Sequence, residues 1–227
     1  MPFSALCAAP ATVVLAASLV GAQERPEQER PAPRFEIEPT VGVFLPLADQ
    51  VDVRSALAPG GGAGGTTLGR ATSRQQPGAV LGLGVRWRAS PAFGVTLWLA
   101  QANSTVEDRV AIDGSGSRSA RVGARVLAGA LLAEVSRPTG RANLTWNVGA
   151  GPAQIYRAGD AYQEVTEVRD FGAAFQAGIR YAIRPRLGFR LTARDLVYRT
   201  SFGTGAAATP GRTQNDVSVL AGLGIGL

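Results

Sequence analysis

Along residues 216–227, apolar and small side chains alternate without a break. Val217, Val219, Ala221, Leu223, Ile225 and Leu227 hold one parity; Asp216, Ser218, Leu220, Gly222, Gly224 and Gly226 hold the other. Successive side chains of a strand point to opposite faces, so this stretch is an apolar wall backed by a thin, partly polar face. The same period recurs upstream and predicts seven more strands, at 34–46, 78–88, 93–102, 120–135, 141–154, 171–184 and 186–200. In the first, Phe35, Ile37, Val41, Val43 and Leu45 oppose Glu36, Glu38, Thr40, Gly42 and Phe44. In the second, Leu81, Leu83, Val85 and Trp87 oppose Gly82, Gly84, Arg86 and Arg88. The sixth sets Phe171, Phe175, Ile179 and Tyr181 against Gly172, Gln176, Gly178 and Arg180.

Three positions resist the pattern. Pro39 lies inside the first strand, where a residue without an N–H is tolerated only at edges and bulges. In 120–135 both faces are fairly apolar, although Arg121, Gly123 and Arg125 still oppose Val122, Ala124 and Val126. Asp195 falls on the apolar parity of its strand, which implies a bulge or a strand that has already left an apolar surrounding.

The connections decide the architecture. Loops at 47–77, 103–119, 155–170 and 201–214 are long, and the three between them, around 89–92, 136–140 and 185, are short. A soluble sandwich has no reason to segregate loop lengths in this way. A membrane barrel has short turns on one side and long loops on the other. Trp87, Phe93, Trp146, Tyr181 and Phe189 gather on the apolar face near the short turns, as an interfacial girdle does, whereas the opposite face carries arginines and glycines that make a poor soluble core. The fold class is therefore all-β: an eight-stranded antiparallel up-and-down transmembrane barrel over residues 34–227.

Composition supplies the leader. The long apolar run from Ala5 to Val20 ends in the small residues Val20, Gly21 and Ala22, so residues 1–22 read as an export signal cleaved before Gln23. Residues 23–33, charged and rich in Pro, read as a flexible periplasmic leader. The single cysteine, Cys7, lies inside the signal, so the mature chain has no thiol. The net charge of +6 comes from 23 basic residues, all Arg, scattered along strands and among acidic loop residues. Without a basic cluster, this excludes a nucleic-acid partner.

Candidate chemistry is sparse. The glycines of 60–65 match G-x-G-x-x-G, but no strand precedes and no helix follows, so they read as a loop and not as a phosphate cradle. The chain has no His. It thus lacks a base poised near neutral pH, and we expect no catalytic residues, no cofactor and no metal site. Asp113 with its Gly and Ser neighbours reads as a turn. The constellation that remains is electrostatic. Glu36, Glu38, Arg86, Arg88, Arg180, Arg184, Arg190 and Arg194 all fall on the inward parity, where unpaired charge is costly. We expect them to form a charge network that fills the lumen, with an arginine-lined anion pore as the alternative. The inward glycines, among them Gly82, Gly84, Gly222 and Gly224, are expected to free volume that Phe44, Trp98 and the arginines reclaim.

Signal, eight amphipathic strands and apolar closing strand together resemble the small outer-membrane barrels of Gram-negative bacteria, the OmpA-, OmpX- and OmpW-like group. The resemblance covers residues 34–227 and is architectural. It implies residence in the outer membrane among lipid and lipopolysaccharide, insertion by the barrel-assembly machinery, and a monomer. Where that group's last strand usually ends in an aromatic, this chain has Leu227. A structural or surface-interaction role is implied, with a narrow OmpW-like channel for small molecules as the alternative.

Overall fold

The computed structural model describes residues 34–59, 66–112, 116–141, 143–163, 169–200 and 212–227. The export signal (1–22), the leader (23–33), the 60–65 glycines and Asp113 lie outside them. Ten strands follow in order: β1 (Phe35–Pro46), β2 (Val51–Pro59), β3 (Thr66–Gln75), β4 (Gly78–Arg88), β5 (Phe93–Ile112), β6 (Gly116–Pro138), β7 (Leu144–Ala158), β8 (Arg169–Arg184), β9 (Leu187–Thr200) and β10 (Arg212–Gly226), with one 3₁₀ turn at Asp160–Tyr162. All pairings are antiparallel. Eight strands close a ring, β5–β4–β1–β10–β9–β8–β7–β6, sealed by the pairing of β6 with β5.

β2 and β3 are the exception, and they correct the reading of 47–77 as an irregular loop. They form a hairpin that continues the sheet on the upper half of β5, with Gly69 opposite Ile112 and Gln75 opposite Val106. The 103–119 loop is likewise mostly strand, because β5 and β6 stay paired from Phe93–Val135 to Ile112–Gly116. The 155–170 and 201–214 loops shorten too, since β7 runs to Ala158 and β10 begins at Arg212. The reason is visible on the outer face of β5. Phe93, Val95, Leu97 and Leu99 are apolar, but Gln101, Asn103, Thr105 and Glu107 continue the same parity. The ladder does not stop where the apolar belt ends; at ~3.3 Å per residue the strand runs on for about 40 Å beyond Leu99.

Outside, the belt is continuous. Trp87, Phe93, Tyr181 and Phe189 are each about half exposed near the short turns, with Leu83, Leu99, Leu131, Phe175, Leu191 and Leu223 above them. A ring of large apolar side chains left open to the exterior is what a bilayer covers. Pro39 faces outward, and pairing of β1 with β10 skips Glu38 and Pro39, then resumes in the same register at Thr40–Gly222. The missing N–H costs a local gap and no slip. Asp195 faces outward between Phe175 and Val217, in regular register on both sides, so no bulge accounts for it.

In upper β6, Val122, Ala124 and Val126 turn to the lumen while Arg121 and Arg125 face out. Here the apolar face is the inner one, because this part of the strand stands above the belt and encloses a small core.

Candidate functional site

The lumen is filled in three layers, and the first lies at the short-turn end. β1 supplies Glu36 and Glu38, β4 Arg86 and Arg88, β6 Glu134, β7 Asn147, β8 Gln176 and Arg180, and β9 Arg190 and Arg194. Glu36 accepts from Arg88 Nη2 at 2.5 Å and from Arg180 Nε at 3.4 Å. Arg190 bridges two carboxylates, donating from Nη1 to Glu38 at 2.9 Å and from Nη2 to Glu134 at 3.0 Å. Arg86 pairs with the same Glu134 oxygen. Gln176 Nε2 donates to the other oxygen of Glu134, and Gln176 Oε1 accepts from Arg194, whose guanidinium lies 3.9 Å above the Trp98 ring. At this depth neither Glu134 nor Arg190 exceeds 3% exposure, so the pairs are largely removed from water and removing one partner is expensive.

Of the eight residues singled out from sequence, six are joined by ion pairs: Glu36, Glu38, Arg86, Arg88, Arg180 and Arg190. Arg194 joins through Gln176. Arg184 does not: it is exposed at the end of β8, next to the turn. Glu134, the carboxylate shared by Arg86 and Arg190, was missed because the two faces of β6 could not be told apart. The signal that finds it is the outward triplet Leu127, Leu131 and Val135, which puts even numbers inside.

The inward glycines of β10 do not leave volume free. A Cβ on Gly224 would lie 2.1 Å from Glu36 Oε1, and one on Gly222 would lie 2.9 Å from Glu38 Oε1. The thin face of the closing strand is the bed on which both carboxylates lie.

The second layer is apolar. Phe44, Val80, Trp98, Val126, Leu132, Ile155, Ala174, Leu196 and Leu220 form one cluster, each no more than 2% exposed, with alanines between them. Every strand of the ring contributes to it. An eight-stranded barrel is just wide enough for side chains to fill. The sequence reading placed Phe44 and Trp98 in the lumen, and this layer adds Val80, Val126, Leu132, Ile155, Leu196 and Leu220 to them.

The third layer, below the long connections, is mostly neutral. Gln50 Nε2 donates to Gln75 Oε1 at 2.9 Å and to the Tyr162 hydroxyl at 2.7 Å, and Gln75 Nε2 donates to Ser104 at 2.8 Å. Burial pushes the Tyr162 phenol above its ordinary value, so it remains a neutral hydroxyl. Tyr162 packs on Val106 and Ala124. It is brought there by the turn at Gly159, whose φ of 100° favours a residue without a Cβ. Nearby, Arg157 is paired with Asp170 and donates to Thr200 at 3.0 Å, and the Tyr198 hydroxyl donates to Asp216 at 2.5 Å.

No family model matches the chain, and no curated protein matches it in sequence. Solved structures do. The outer membrane protein OprG from Pseudomonas aeruginosa is 18% identical, with a TM-score of 0.56 over 86% of this chain and 95% of that one. Neisserial surface protein A is 9% identical, with a TM-score of 0.57 over 87% of this chain and 99% of its own. At these identities the likeness establishes the fold: the chain has the fold of the eight-stranded outer-membrane barrels.

Proposed function

We propose that the chain is an exported outer-membrane barrel that acts as a closed scaffold, holding its long connections at the cell surface. The observation that carries this reading is the apolar layer. Side chains from all eight ring strands meet across the lumen, and a dry layer between two polar ones gives an ion no path along the axis. A narrow axial conduit is disfavoured by the same layer. The two solved barrels named above, an outer membrane protein and a surface protein, support the location.

In this reading the apolar belt sits among phospholipid and lipopolysaccharide, the chain works as a monomer inserted by the barrel-assembly machinery, and no enzymatic step is assigned. Residues 1–22 are the signal that takes it there. Sequencing the amino terminus of the membrane-extracted protein should give Gln23. The β2–β3 connection should be cut by protease added to intact cells, and the 136–140 turn only after the outer membrane is opened.

The direct test is electrical. The purified barrel in a planar bilayer should show no steady conductance above the bare membrane. A large, stable conductance would replace the scaffold with a channel.

A further inference from the structure

The short-turn layer does not balance. Five arginines (Arg86, Arg88, Arg180, Arg190 and Arg194) stand against three glutamates (Glu36, Glu38 and Glu134), which leaves two positive charges in a largely buried cluster. An arginine does not relieve this by losing a proton. Next to the excess is a cavity of about 80 Å³, bounded by Arg86, Arg88, Arg180, Ser136, Thr145 and Asn147. At ~15 Å³ per water on this measure, it has room for several waters or one tetrahedral oxyanion. Asn147 is 2% exposed, and its Nδ2 has no hydrogen-bond partner among the described residues.

We propose that this cavity binds a phosphate group as a dianion. Two negative charges match the excess, and the walls offer guanidinium forks, two hydroxyls and an amide N–H, the donors that suit phosphate oxygens. Glu134 also borders the cavity, but Arg86 and Arg190 bracket its carboxylate and Gln176 donates to it, so its charge is already spoken for. The surroundings favour capture. Arg34, Arg137, Arg141, Arg184 and Arg186 are exposed on the rim, and the described residues of the short-turn segments carry no exposed acidic side chain. A mouth of one sign concentrates the opposite ion. The side chains at the cavity face into the ring and away from the belt, so the phosphate reaches it from solution, free or carried on a soluble molecule.

The test is titration of the full barrel, folded in a neutral detergent, with inorganic phosphate against sodium chloride of equal ionic strength, followed by calorimetry and unfolding temperature. Phosphate should bind saturably and raise the unfolding temperature, and chloride should not. Arg88→Gln or Arg180→Gln should weaken phosphate binding at least tenfold, and Arg169→Gln, on the far side of the barrel, should leave it unchanged. Because losing an arginine disturbs Glu36, Ser136→Asp provides a second variant. It places a carboxylate on the cavity wall without breaking an ion pair and should abolish binding. Glycerol phosphate distinguishes the sources: binding of both ligands points to a phosphate carried on a larger molecule, and binding of phosphate alone points to the free ion. Equal effects of phosphate and chloride, or Ser136→Asp binding as tightly as the parent, would overturn the proposal.

Discussion

The two polar ends of the lumen are built from different materials. At the short-turn end the groups are charged, sit directly on ring strands, and are held by three carboxylates, of which Glu36 and Glu134 each serve two arginines. At the other end they are mainly amides and hydroxyls, and they come partly from outside the ring, with Gln50 after β1, Gln75 on the added hairpin and Tyr162 on the 3₁₀ turn. A cluster in which arginines outnumber carboxylates is costliest to disturb at the carboxylates, because each one lost strands buried positive charge. A neutral clasp loses about one hydrogen bond at a time. The first arrangement rigidifies the ring, and the second fastens connections onto it.

The contrast can be broken most forcefully at Glu134. Glu134→Gln removes the one carboxylate that Arg86 and Arg190 share, and should cost about 3–5 kcal/mol in detergent-based unfolding. A loss no larger than that of a neutral hydrogen bond would mean the two ends are alike. Gly224→Ala comes next. The new methyl group meets a Glu36 carboxylate held by two arginines, so we expect about 1–3 kcal/mol of destabilisation, with Gly123→Ala as the harmless control because nothing lies within 4 Å of its added Cβ. Gln50→Ala should cost about 1 kcal/mol globally and show itself as faster amide exchange around residues 160–163. The smallest effect is expected from Arg121→Gln, which loses only an exposed pair with Glu107 and should stay within about 0.5 kcal/mol.

The sequence disclosed one end of the molecule far better than the other. Glu36, Arg86 and Arg190 could be placed because their strands alternate cleanly between lipid-facing bulk and small or charged residues. The rule behind that success, apolar outward, fails wherever the lumen is itself apolar. Val126, Leu132 and Ile155 are as hydrophobic as the belt and yet face inward, so β6 read as two-sided and Glu134 was lost with it. The hairpin was hidden for another reason. Residues 51–75 have no aromatic residue and a glycine cluster, and it is the pairing of β3 along the tall edge of β5, and of β2 with β3, that makes strands of 51–59 and 66–75. That edge exists because β5 continues beyond the belt, which the change from Leu99 to Gln101 marks as a change of solvent and not as the end of a strand.

The seam between β1 and β10 joins the start of the barrel to its last strand. Glu38 meets Arg190 from 152 residues away, and Glu36 meets Arg180 from 144. These contacts carry a heavy loop-closure cost and give nothing back until almost the whole chain has been arranged. Glu36 can pair with Arg88 as soon as β4 lies beside β1, whereas its contact with Arg180 and that of Glu38 with Arg190 form only when the ring closes. These two closing contacts act as a late latch, absent from the early intermediates, so weakening them should hasten opening of the finished barrel far more than it slows assembly.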